Sequence, residues 1–110
     1  MTPDTAAVER LFSSFGDDPD FVELVKMYVQ ELPQRLQSLH DAAGQKNWPE
    51  LVRLAHQIKG AAGSYGFQPI TPYAQQLELT ARRGESESQI VEALSALEEI
   101  CSRCQSGSPR

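Results

Sequence analysis

The sequence predicts an all-α fold: an antiparallel up-down four-helix bundle with a short extra helix at its N-terminus. Two observations carry this. Every apolar stripe in the 110 residues recurs with a period near 3.6, and no stretch reads as an alternating strand. The stripes also open on capping residues, close on glycines and leave only short connections, the pattern of an up-down bundle.

The elements follow in order. A short helix is expected over Thr5–Phe15, with Gly16 as its stop. In the next stretch Asp18 suits the N-cap, Pro19 the first helical position, and Asp20 complements the helix dipole. Phe21, Val25, Tyr28, Leu32, Leu36, Leu39 and Ala43 then run at steps of three and four. Pro33 removes a backbone donor, yet the stripe stays in phase beyond it, so one long bent helix ending at Gly44 is expected. Asn47, with Glu50 three residues on, is close to a capping box and opens a helix that runs to about Tyr65 and stops at Gly66. Thr71 as cap and Pro72 at the first position open another, or it begins a turn earlier near Gln68; Gly84 is its stop. Ser86 to Gln89 form a second capping box, before Ile90, Leu94, Leu97 and Cys101. Residues 1–105 read as one domain and 106–110 as a disordered tail, with no internal repeat.

Composition narrows the function. A net charge of −5 disfavours nucleic acid and anionic lipid as partners. No apolar run approaches the ~20 residues that span a membrane, and "MTPDTAAVER" lacks the features of a secretory signal, so a cytoplasmic protein is expected. Cys101 and Cys104 form a C-x-x-C without the further ligands of a zinc site or the βαβ context of a redox motif. Cys101 lies on the last apolar stripe, so both are read as structural thiols and no metal site is expected. His40 sits near a helix C-terminus, where a cation complements the dipole, and is assigned no chemistry.

The segment "AHQIKGAAGSYGF" carries the functional signal. Leu51, Leu54, Ala55, Ile58, Ala62 and Tyr65 fall within an arc of about 100°, a core-facing stripe. His56 points roughly 150° from the centre of that arc, with Gly63 within ~20° and Gly60 within ~40° of its direction. Val52 lies one turn earlier on the other side, and Lys59 stands within i,i+3 reach on the core-ward flank. Two helix-interior glycines give up roughly 2 kcal/mol relative to alanine. An idle surface histidine does not account for both glycines lying on its own face. They clear the space beside an exposed imidazole for another protein.

A neutral imidazole is a nucleophile toward phosphoryl groups near neutral pH. Phosphoryl transfer needs cations on the equatorial oxygens, which Lys59 can supply. The attacking ring also benefits from an acceptor on its other nitrogen. If the chain folds back about residue 67, the residue level with His56 is Glu78, with Gln75 one turn away.

"HQIKGAAGSYG" fits the pattern H-x-[IL]-K-G-(x5)-G and resembles the signature of histidine-containing phosphotransfer (HPt) domains. The resemblance extends through "LP", "NW" and "LE" (Leu77, Glu78) and covers roughly residues 18 to 103. It implies a four-helix bundle that relays phosphoryl groups between receiver-domain aspartates in multistep two-component signalling. By position, His56 would accept the phosphoryl group on Nε2 and Lys59 would stabilise it. Gly60 and Gly63 would leave room for the receiver, Gly66 would turn the chain, and Glu78 would partner the imidazole. The resemblance implies response-regulator receiver domains and a hybrid sensor histidine kinase as partners, with Mg²⁺ on the receiver and no cofactor on this chain. No phosphate loop for a nucleotide is present, so the reading is a reversible phosphocarrier without its own ATP site, acting as a monomer.

Other readings are weaker. The GxxG of "KGAAG" could belong to a KH-type RNA-binding loop, but that fold needs strands and a basic surface. A general-base enzyme needs a concave pocket, whereas His56 sits on an open helix face. A helical adaptor without phosphotransfer would not need the intact His-Lys-Gly set. An HPt module cut from a hybrid or chemotaxis-type kinase is the alternative within the family. Met1, a capped first helix and a frayed tail favour a free-standing protein.

Overall fold

A computed structural model describes residues 10–15 and 18–105. Among these, four α-helices form the body: α1 (Val22–Gly44), α2 (Trp48–Ser64), α3 (Thr71–Arg82) and α4 (Glu87–Cys101). A 3₁₀ turn over Gln68–Ile70 precedes α3, and β1 (Leu11–Phe12) pairs in parallel with β2 (Cys104–Gln105). No helix among the described residues is long and apolar enough to cross a membrane.

The N-terminal segment differs from expectation. Leu11 and Phe12 are extended and Ser14–Phe15 form a turn, so the helix expected over Thr5–Phe15 does not include them. Residues 5–9, Gly16 and the tail 106–110 lie outside the described residues. The physical reason is tertiary. Leu11 donates its backbone N–H to Arg103 and lies in register with Cys104, a pairing that a local reading of period cannot anticipate.

The boundaries of α1 follow local chemistry with two shifts. Asp18 caps a turn rather than the helix: its Oδ1 accepts from the Asp20 N–H, and its carbonyl accepts from Phe21 and Val22. The helix begins after that turn and runs through Pro33 unbroken. At its C-terminal end the left-handed residue is Lys46 (φ 56°), not Gly44. Lys46 N–H reaches the Ala43 carbonyl and Asn47 N–H the Ala42 carbonyl, closing the helix in a Schellman arrangement.

α2 starts where Asn47 accepts from the Glu50 N–H. It ends in a second Schellman arrangement, with Gly66 at φ 81° and Phe67 N–H on the Ala62 carbonyl. Thr71 does not cap α3: it is already helical, and the 3₁₀ turn delivers the chain into the helix without a side-chain cap. The capping box of Ser86 and Gln89 is fully formed at the start of α4.

The core is built from the expected stripes. Val25, Tyr28, Leu32 and Leu39 of α1 meet Leu51, Ala55, Ile58 and Ala62 of α2, Leu77 of α3, and Ile90, Leu94 and Leu97 of α4. Tyr28 is stacked with Tyr65 and Phe67, at ring-centroid distances of 4.9 and 5.8 Å. Cys101 and Cys104 are buried free thiols. Burial first, with Cys104 and Glu98 nearby, pushes Cys101 up to about 12, and burial pushes Cys104 up to about 11. Such thiols stay protonated near neutral pH and are poor nucleophiles. His40 is exposed on α1 and pairs with Glu98 of α4.

Candidate functional site

The site is carried by α2 and α3 alone. The apolar stripe of α2 turns Leu51, Ala55, Ile58 and Ala62 inward, which leaves His56 on the outer face. Its side chain is 63% exposed. On α3, Ala74, Leu77 and Ala81 pack inward, and the same turn of helix sets Glu78 against α2, its side chain only 4% exposed.

Three donors converge on that buried carboxylate. His56 Nδ1 lies 3.1 Å from Glu78 Oε2. Arg82 Nη2 donates to the same Oε2 at 2.8 Å. Lys59 Nζ stands 3.0 Å from Oε1, an ion pair with the carboxylate's other oxygen. Burial pushes the Glu78 carboxyl up, but its contacts with Lys59 and His56 outweigh that and hold it below its ordinary value. An ionised carboxylate can only accept, so the hydrogen on this contact belongs to Nδ1. The neutral ring then has its lone pair on Nε2, the nitrogen away from Glu78. The arrangement is an exposed nucleophilic nitrogen, oriented from behind by a buried carboxylate, with an ammonium group one turn along the same helix.

The Hpt domain model matches residues 23–107 of the chain, a span that takes in α1 from its second residue, the other three helices and every residue of this cluster. The chain belongs to the Hpt domain family. No curated protein and no solved structure matches it. An Hpt domain performs histidine phosphotransfer in two-component signalling and interacts with receiver domains and histidine kinases in phosphorelays.

Around the cluster, this Hpt domain is open where the sequence places its glycines. A Cβ at Gly60 or Gly63 would meet nothing within 4 Å, so no internal packing among the described residues requires glycine at either position. Gly66 is different in kind. Its φ is positive, and a Cβ there would stand 2.5 Å from Ser13 Oγ and 2.7 Å from Ser14 Oγ. Ser13 donates to the Tyr65 carbonyl, and Ser14 N–H to the Gly66 carbonyl, so the N-terminal segment closes over that turn.

Val52 is half-buried and lines an open groove of about 430 Å³ with Trp48, Pro49, Ala81 and Arg82. Gln75 is exposed on α3 and does not join the His56 cluster. Arg82 does join it, and the sequence reading did not single it out. Its signal was its i,i+4 spacing from Glu78, which places a cation on the same helix face as the acid. Among the described residues, no group of three or more His, Cys, Asp or Glu side chains could hold a metal ion.

Proposed function

We propose that this Hpt domain is a reversible phosphocarrier whose accepting atom is Nε2 of His56. The single observation that carries the reading is an exposed imidazole with its Nδ1 3.1 Å from a buried, ionised Glu78. In the forward step the Nε2 lone pair forms the N–P bond to a receiver aspartyl phosphate. The acyl P–O bond breaks, and its electron pair stays on the receiver's carboxylate. The hydrogen stays on Nδ1, donated to the Glu78 carboxylate, which stabilises the charge that the ring acquires. Lys59 leaves Oε1 for the phosphoryl oxygens, whose charge spreads in the transition state. Transfer to a second receiver is the reverse of these events.

The bare backbone at Gly60 and Gly63 and the groove beside Val52 form the landing surface for the receiver, which brings Mg²⁺ and its acidic cluster. An antiparallel up-down order of helices belongs to the same reading. It is supported by the ion pairs of His40 in α1 and of Lys46 just beyond its end with Glu98 and Glu87 of α4, and by the grouping of Val52 with Ala81 and His56 with Glu78 between α2 and α3.

The test is incubation with a phosphorylated cognate receiver. The expected product is an acid-labile, base-stable phosphoprotein, absent in His56→Gln. Label that persists on His56→Gln would overturn the assignment.

A further inference from the structure

The chain carries two cysteines, and both stand where α4 gives way to β2. Cys101 is the last residue of α4, and Cys104 is the first of β2. Between them the helix runs on as a turn, with the Arg103 N–H on the Ile100 carbonyl. Cys104 Sγ donates to that same carbonyl at 3.9 Å, so its side chain is turned back toward the end of the helix. Both cysteines border one groove of about 340 Å³, together with Val29, Pro33 and Leu36 of α1. Positions three apart on a helical turn hold their Cβ atoms about 5–6 Å apart. A disulfide needs about 3.5–4.5 Å, so the turn over Ser102 and Arg103 has to tighten by only about 1–2 Å.

That turn also holds the N-terminal segment. The Arg103 carbonyl accepts the Leu11 N–H at 2.8 Å, and Leu11 lies in register with Cys104. A bond between the two sulfurs closes a ring over Cys101, Ser102, Arg103 and Cys104, and the acceptor of that hydrogen bond lies inside the ring. At 2.8 Å the contact is already near the short end of its range, so tightening the turn lengthens it.

We infer that Cys101 and Cys104 form an intramolecular dithiol–disulfide site whose oxidation loosens β1 from β2. The oxidant is a small-molecule disulfide. The thiolate of Cys104, the less buried of the two at 8% against 4% exposed, attacks one sulfur of the oxidant. The oxidant's S–S bond breaks, and the departing thiolate takes up a proton. The Cys101 thiolate then attacks the Cys104 sulfur of the mixed disulfide, and the second small thiol leaves. Two cysteine thiols are oxidised and one disulfide is reduced to two thiols, with two protons accompanying the two electrons. Burial keeps both cysteines protonated while the strands are paired, so the exchange runs through the population in which β1 and β2 have parted. The site shares no residue with the His56 cluster, and the inference does not rest on the phosphocarrier reading.

The experiment incubates the full chain, without denaturant, in oxidised and reduced glutathione at a series of ratios. Samples are quenched in acid, their remaining thiols alkylated, and their masses read. The expected wild-type product is a monomer lighter by two hydrogens, with neither cysteine alkylated, that dithiothreitol reverses. Cys101→Ser should stop at a mixed disulfide with glutathione on Cys104. Leu11→Pro removes the N–H that the Arg103 carbonyl accepts and should speed oxidation about fivefold, the effect of losing one backbone hydrogen bond. Amide exchange on the two wild-type forms should show Leu11 protection falling about fivefold on oxidation, with Ile58 of α2 unchanged. A wild-type chain that keeps two alkylatable thiols in oxidised glutathione alone, or that links only to glutathione or to a second chain, would overturn the site. Oxidation that leaves Leu11 protection unchanged or raises it, or that Leu11→Pro does not speed, would overturn its coupling to the strand pair.

Discussion

Glu78 reaches His56 from the neighbouring helix, with Oε2 3.1 Å from Nδ1, while the rest of the imidazole stands in solvent. The contact separates two properties of the carboxylate, its ability to accept and its charge. Glu78→Gln keeps an acceptor and removes the charge; Glu78→Leu removes both. Phosphoryl uptake should fall less than about tenfold in the first and by more than that in the second, with helical content unchanged in both. Stopped-flow or quenched transfer assays with circular dichroism check this, and equal loss in the two variants would show that charge alone matters.

The glycines divide by environment. Gly60 and Gly63 lie in a helix with open space where a Cβ would go, so Gly60→Ala and Gly63→Ala should each stabilise the fold by ~0.5–1 kcal/mol. Gly66→Ala should destabilise by at least ~1 kcal/mol, because a positive φ and the Ser13 and Ser14 hydroxyls both oppose a side chain. Urea denaturation reads both signs. Gly63→Leu adds a functional arm: stability should be kept while transfer slows, since the added side chain would stand on the landing surface proposed for the receiver.

Lys46 occupies the left-handed position that ends α1, where glycine is the usual residue. Its ion pair with Glu87, at 3.6 Å between exposed side chains, is worth little. Lys46→Gly should therefore raise stability by ~1 kcal/mol, seen as a higher melting temperature at unchanged phosphotransfer rate.

The fold should also respond to acid through Glu78. Its carboxyl is held below the ordinary value of 4.5, with burial opposed by Lys59 and His56. A group depressed in the folded state stabilises it above the unfolded-state value and loses that contribution as pH falls through the folded one. Between pH of about 6 and about 3, the melting temperature should therefore fall further for wild type than for Glu78→Gln. Parallel falls would show that the carboxyl is not depressed.

The helices were legible because their stripes, caps and stops agree with one another. Ser86 and Gln89 form the full capping box that their spacing suggests, and Asn47 caps α2. What escaped was tertiary. Leu11 and Phe12 follow a helix-like composition, but Cys104 and Gln105 offer them a partner from the other end of the chain. Lys46 takes a left-handed turn that composition assigns to Gly44. At the candidate site, winding one helix is enough to point His56 outward with Gly60 and Gly63 on its face, and folding the chain back at residue 67 is enough to bring Glu78 level with it. Arg82 needed one more step, since its relevance appears only when Glu78 is known to be buried and shared.

The pairing of β1 with β2 has a kinetic consequence. It joins Leu11 to Cys104, so almost the entire chain must be ordered before the two strands can meet. Closing so long a loop is entropically costly until the helices between have condensed, which places this contact after the rate-limiting barrier to folding. The strand pair is then a clasp rather than part of the nucleus. Weakening it should accelerate opening of the chain ends and leave the folding rate nearly untouched, while the contact of α2 with α3 that carries His56 joins residues near in sequence.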